Sequence, residues 1–185
     1  MTGRVTRAMG EVTRESAQSG DGPADEAAEY RRWQAQVEGT NIDGKTLLAT
    51  DYLNHFNEIV MLLDMLPDMP DMIGELLDWA PCDYRTHFAR STFAARDLAV
   101  AAYDHVPAAY RLPFEETVAR LDRFLLDAIA EMDGMIAGGA APDALAARVS
   151  AVSRGAQRLL DVASGIIHGS TRALDQGEID DLLRG

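Results

Sequence analysis

The chain has 185 residues, enough for one domain with a sizeable core plus tails. At 47% hydrophobic residues its composition is globular, and 30 acidic against 17 basic residues leave a net charge of −13. That balance argues against a general phosphate- or nucleic-acid-binding role. A lone cysteine, Cys82, excludes an intramolecular disulfide and a cysteine-built zinc site, and no apolar run reaches the length of a membrane span.

The elements follow in chain order. Residues 1–22 are rich in Gly, Ser, Thr and charge, and they read as a disordered lead-in. Arg4, Arg7, Glu11, Arg14 and Glu15 with no apolar stretch do not make a secretory leader, so a cytoplasmic protein is expected, with no nucleic-acid or membrane partner. From Pro23 to about Glu38 the composition favours a helix with Tyr30, Trp33 and Val37 on one side, ended by Gly39. Asn41 or Asp43 is positioned to cap a second helix that runs to Leu66 and stops at Pro67. After the turn at 67–71, short helices are expected at 71–79, 82–90 and 93–105. Trp79, Tyr84, Phe88 and Phe93 would anchor them.

Pro113 reads as the first residue of a long helix over 113–136, with Glu115 and Glu116 at its positive end. Phe114, Val118, Leu121, Leu125, Ile129, Met132 and Ile136 form its apolar stripe. Gly138 and Gly139 end it. A last long helix over 143–168 carries Leu145, Val149, Val152, Ala156, Leu159, Ala163 and Ile166 at the same spacing. Two such helices joined by a short loop make an antiparallel hairpin spanning 113–168. Strand-like alternation is nowhere sustained. The expected fold is therefore all-α, a helical bundle over 23–168 whose hairpin could extend into a homodimer.

Residues 169–173 read as a flexible tether, and the chain then closes on a short amphipathic helix. Asp175 and Glu178 form a capping box, with Leu174 and Ile179 as its hydrophobic staple. Ile179, Leu182 and Leu183 share one face; Glu178, Asp180 and Asp181 fill the rest. A helix of about eight residues is too short to be stable alone in water. It suits helix-in-groove recognition, in which apolar anchors supply affinity and charges steer.

This segment, LDQGEIDDLLRG, resembles the receiver-binding peptide of the flagellar switch protein FliM, whose pattern is Leu-Ser-Gln-x-Glu-Ile-Asp-x-Leu-Leu. Leu174, Gln176, Glu178, Ile179, Asp180, Leu182 and Leu183 match its fixed positions, and Asp175 exchanges one N-capping residue for another. The chemotaxis phosphatase CheZ carries a looser version at its C-terminus. The resemblance implies docking onto a CheY-type response regulator and covers about a dozen residues; the helical body resembles neither family. The competing reading is a terminal helix that packs back on its own bundle.

One polar constellation lies in the second expected helix. Asp51, Asn54, His55 and Glu58 fall on one face at helical spacing. An amide can orient a water for attack on a receiver's aspartyl phosphate while a neighbouring carboxylate pairs with a basic group. Asp51-x-x-Asn54 is similar to the Glu-x-x-Asn pairs of the CheC and CheX phosphatases, with a shorter acid. The pattern is common by chance, and a solvated helix face is the favoured alternative. A metal site would draw on Asp51, His55 and Glu58 with His87 or His105, but the spacing of di-iron bundles is absent, so no metal or cofactor is expected. Met61, Met65, Met69 and Met72 read as core filling beside the proline turn. Cys82 reads as inert, since no base accompanies it.

Overall fold

In the computed structural model the two longest helices, α6 (Ala108–Ala137) and α7 (Pro142–Ile167), fold back on each other across a four-residue link. The structure describes residues 23–171. Five further helices precede the hairpin: α1 (Pro23–Val37), α2 (Asn54–Met65), α3 (Ile73–Leu77), α4 (Tyr84–Arg90) and α5 (Arg96–Ala102). Single 3-10 turns at Thr50–Leu53, Pro70–Met72 and Tyr103–His105 abut α2, α3 and α5. Among the described residues there is no strand, and the protein is an all-α helical bundle.

The hairpin seam follows the apolar spacing. All seven stripe residues of α7 are buried, joined by Gly155, Leu160 and Ile167. On α6, Phe114, Leu121, Leu125, Ile129 and Met132 are buried, while Val118 and Ile136 pack at the edge of the core. At Gly155 the helices approach so closely that a Cβ would lie 2.7 Å from Cζ of Phe124. Near the linked end of the hairpin Arg148 makes two hydrogen bonds to Glu131, at 2.8 and 2.7 Å. On the other side of α7 lie α2 and the Thr50–Leu53 turn; Leu76 of α3 is buried in the same core, against α6.

Two expected helix starts move by five residues or more. α6 begins at Ala108, not at Pro113. The Pro107 carbonyl accepts the amides of Tyr110 (2.9 Å) and Arg111 (3.0 Å) and so starts the helix. Pro113 sits inside it, and the missing N–H costs one bond that the flanking turns tolerate. The second correction is larger. No helix starts at Asn41 or Asp43; residues 38–49 form a loop and α2 begins at Asn54.

Asp43 does cap, but it caps the loop. Its carboxylate accepts the amides of Lys45 (2.8 Å) and Thr46 (3.0 Å), an Asx turn that competes with helix. Leu47 adopts φ 62°, and Ile42 pairs with Ala49 in an isolated bridge. The left-handed turn lets Leu47, Leu48 and Ala49 all enter the core with no exposed surface. Burial of the two leucines and the alanine offsets the strain of a non-glycine residue at positive φ.

The short helices are held by aromatic side chains. Asp83 caps α4 through the Thr86 amide (3.0 Å) and hydroxyl (2.6 Å), and these bonds hold its carboxyl below the usual range. The Tyr84 hydroxyl accepts the Ala49 amide at 2.9 Å, and Tyr52 donates to the Cys82 carbonyl at 2.8 Å. α1 docks through Val37, the Trp33–His105 ring stack at 4.5 Å, and a hydrogen bond from Gln34 to the Gly44 carbonyl at 2.9 Å.

The methionines do not behave as core filling. Met61, Met65 and Met69 are exposed, with Met61 at 65%, and only Met72 is partly covered. No helix among the described residues is long and apolar enough to cross a membrane.

Candidate functional site: a polar recess beside the end of α7

The chain crosses from the Thr50–Leu53 turn into α2 directly opposite the last turns of α7. A recess of about 430 Å³ lies between them. Asn41, Thr50, Asp51, Asn54 and Asn57 line one side; Gln157, Asp161 and Ser164 line the other, with Leu53 and Leu160 at the floor. Gln157 Nε2 donates to Asp161 Oδ1 at 3.0 Å across one helical turn. The lining offers two carboxylates, four amides and two hydroxyls, and no Lys, Arg or His. Such a surface repels a free phosphate and favours a cation or a hydrogen-bond donor.

Two of the four residues expected on a common face reach this recess. Asp51 and Asn54 border it; His55 and Glu58 turn to a separate hollow with Trp79 and Cys82. Asp51 lies in the tighter 3-10 turn ahead of α2, so its direction is not the one α-helical spacing projects; Asn54 and Glu58, one turn apart on α2, open onto different hollows. Asp51 is half-buried and Asn54 exposed, and the Asp51 carbonyl accepts the Asn54 amide. Asn41, Asn57, Gln157, Asp161 and Ser164 are members that the linear reading missed. Gln157 and Asp161 were visible as an i, i+4 pair on the polar side of α7, but their meeting with Asp51 and Asn54 is a tertiary event.

His55 is half-buried against the core. Its Nδ1–H donates to the Tyr52 carbonyl, and its ring lies 3.8 Å from that of Phe56, centroid to centroid. Burial lowers its pKa to about 4, partly offset by the Tyr52 bond and reinforced by His87. Among the described residues no group of three His, Cys, Asp or Glu side chains is arranged to hold a metal ion. His105 is turned away against Trp33 and Glu29. At Cys82, burial and then Asp83 push the thiol pKa up, which disfavours the reactive thiolate.

The recess adjoins the C-terminal end of α7. α7 ends in a left-handed glycine, Gly169 (φ 90°), with the Ser170 amide bonded back to the Gly165 carbonyl at 2.9 Å. Lys45 Nζ donates to the Gly169 carbonyl (3.1 Å) and Thr46 Oγ1 to that of Ile167 (2.5 Å). The expected flexible tether thus starts with residues tied to the 43–48 loop. Leu174, Gln176, Glu178, Ile179, Asp180, Leu182 and Leu183 lie outside the described residues, as does the lead-in at 1–22. Comparison with protein families, curated proteins and solved structures returned no match for the chain.

Proposed function

We propose that this chain is a cytoplasmic regulatory protein of the chemotaxis and flagellar type that docks a CheY-like response regulator through residues 174–185. The observation that carries the reading is the match of Leu174, Gln176, Glu178, Ile179, Asp180, Leu182 and Leu183, in order and spacing, to the FliM receiver-binding pattern. In this reading Ile179, Leu182 and Leu183 fill a groove on the partner. Docking needs no cofactor, and binding without catalysis is the favoured activity.

The decisive experiment titrates a synthetic 174–185 peptide against phosphorylated and unphosphorylated CheY-type receivers, alongside a chain truncated after Thr171. Saturable peptide binding, with receiver binding lost and helical content kept in the truncated chain, is the expected result. Loss of helical content or of an oligomer on truncation would instead favour a structural protein whose tail packs on its own bundle or dimer.

A catalytic reading has one observation in its favour: Asp51 and Asn54 open onto the same recess, with Asn57 and Gln157 as further amides. An amide there could hold a water for in-line attack on a receiver's aspartyl phosphate. Asn54→Ala tests it directly. An unchanged lifetime of the receiver phosphate, with docking intact, removes the phosphatase reading.

A further inference from the structure

We infer that the recess between the Thr50–Leu53 turn and α7 is a second contact surface for the partner held by the C-terminal segment, and that it receives a basic side chain of that partner. The inference rests on the receiver-docking reading above.

Position is the first argument. Ser164 lines the recess, and its carbonyl accepts the His168 amide at 3.0 Å, so the recess and the C-terminal end of α7 share one turn. The far wall lies by the same end: Asn41 stands two residues before Asp43, whose carboxylate lies 3.6 Å from His168 Nδ1. Lys45 and Thr46 hold the carbonyls of Gly169 and Ile167 there. From Ser170 to Leu174 four residues span at most ~14 Å. A partner engaged at 174–185 is therefore held within reach of the recess at high effective concentration.

Charge is the second argument. Asp51 and Asp161 carry the only formal charges among the lining residues, and the amide carbonyls of Asn54 and Asn57 add further acceptors. Gln157 donates to one oxygen of Asp161, and no other hydrogen bond to that carboxylate is formed among the described residues. An ammonium or guanidinium entering here meets two carboxylates and acceptors suited to charge-assisted hydrogen bonds. An acidic or phosphorylated group would be repelled. Because the recess is open to water, its contribution to binding is screened as salt rises.

The test compares the full chain with the 174–185 peptide by calorimetry, against a purified CheY-type receiver at two salt concentrations. We expect the full chain to bind at least about tenfold more tightly than the peptide, an advantage that shrinks as salt rises. The double variant Asp51→Asn/Asp161→Asn should bring the full chain to within about twofold of the peptide, leaving helical content unchanged. Asn57→Arg, at an exposed position, should have the same effect by placing a guanidinium in the recess. If chain and peptide bind equally, or if both variants retain the advantage, the recess inference is overturned and docking by the segment stands. If neither peptide nor chain binds any receiver, the docking reading falls and takes this inference with it.

Discussion

The buried hydroxyl of Thr46 donates to the carbonyl of Ile167 at 2.5 Å, joining positions 121 apart in the chain. Ile167 is the last residue of α7, and its carbonyl has no partner within the helix. The 43–48 loop thereby supplies the C-terminal cap that the helix itself lacks, and Lys45 repeats the arrangement at Gly169. Thr46→Val keeps the shape and removes the donor. A buried carbonyl left unsatisfied costs ~1–3 kcal/mol, so urea unfolding should show a loss of that size. An unchanged midpoint would mean that the bond adds nothing to stability.

The Phe124 ring of α6 lies against Gly155 of α7, where a Cβ would come within 2.7 Å of it. Alanine at 155 would gain ~1 kcal/mol of helix propensity but must displace the phenyl ring, at ~1–3 kcal/mol. Gly155→Ala is therefore expected to destabilise in the natural background and to stabilise when combined with Phe124→Ala. A double-mutant cycle measured by thermal melting gives the sign in each background.

Acid should weaken the fold through His55. Its pKa falls from 6.5 to about 4 on folding, so the unfolded chain binds more protons between these values and stability drops as pH falls through that window. His87 shifts the same way through burial, opposed by the Asp51 backbone and by Glu58. Melting temperatures at pH 7 and pH 5 should differ in this direction, and His55→Phe should flatten the difference.

Asp122 has the opposite sign. Burial raises its carboxyl from 3.8 to about 6, so its contribution favours folding at low pH and is lost as pH rises through about 6. Its Oδ1 is buried with no hydrogen-bond partner among the described residues. Asp122→Asn should raise the melting temperature at pH 7, with the gain vanishing below pH 4. A gain that persisted in acid would point to packing instead of charge.

At the docking segment, Ile179→Ala or Leu183→Ala should weaken receiver binding by ~1–2 kcal/mol if these side chains fill a groove. Both variants should leave the unfolding transition of the body within ~0.5 kcal/mol of the natural chain. Calorimetric titration and denaturant melts on the same samples separate the two effects.

Periodicity alone located the hairpin, because an apolar stripe at helical spacing has one favourable outcome: burial against another stripe. Every stripe residue chosen on α7 is buried, and all-α architecture follows from helical patterns without strand alternation. Aromatic anchoring of the short helices was legible for the same reason, since Tyr84 and Phe88 have nowhere else to go. Local chemistry with two outcomes was less legible. Asp43 could cap a helix or close an Asx turn, and the turn prevailed because it delivers Leu47, Leu48 and Ala49 to the core together.

The recess marks the division most clearly. Sequence determined which side chains are polar and which repeat at helical intervals, along with the capped, acidic and apolar pattern of the last twelve residues. Only the tertiary structure decided that Asp51 and Asn54 face Gln157 and Asp161, and that His55 and Glu58 do not join them. Residues a hundred positions apart meet because burying the apolar sides of α2 and α7 fixes their rotation, and the polar groups are carried to wherever that rotation leaves them.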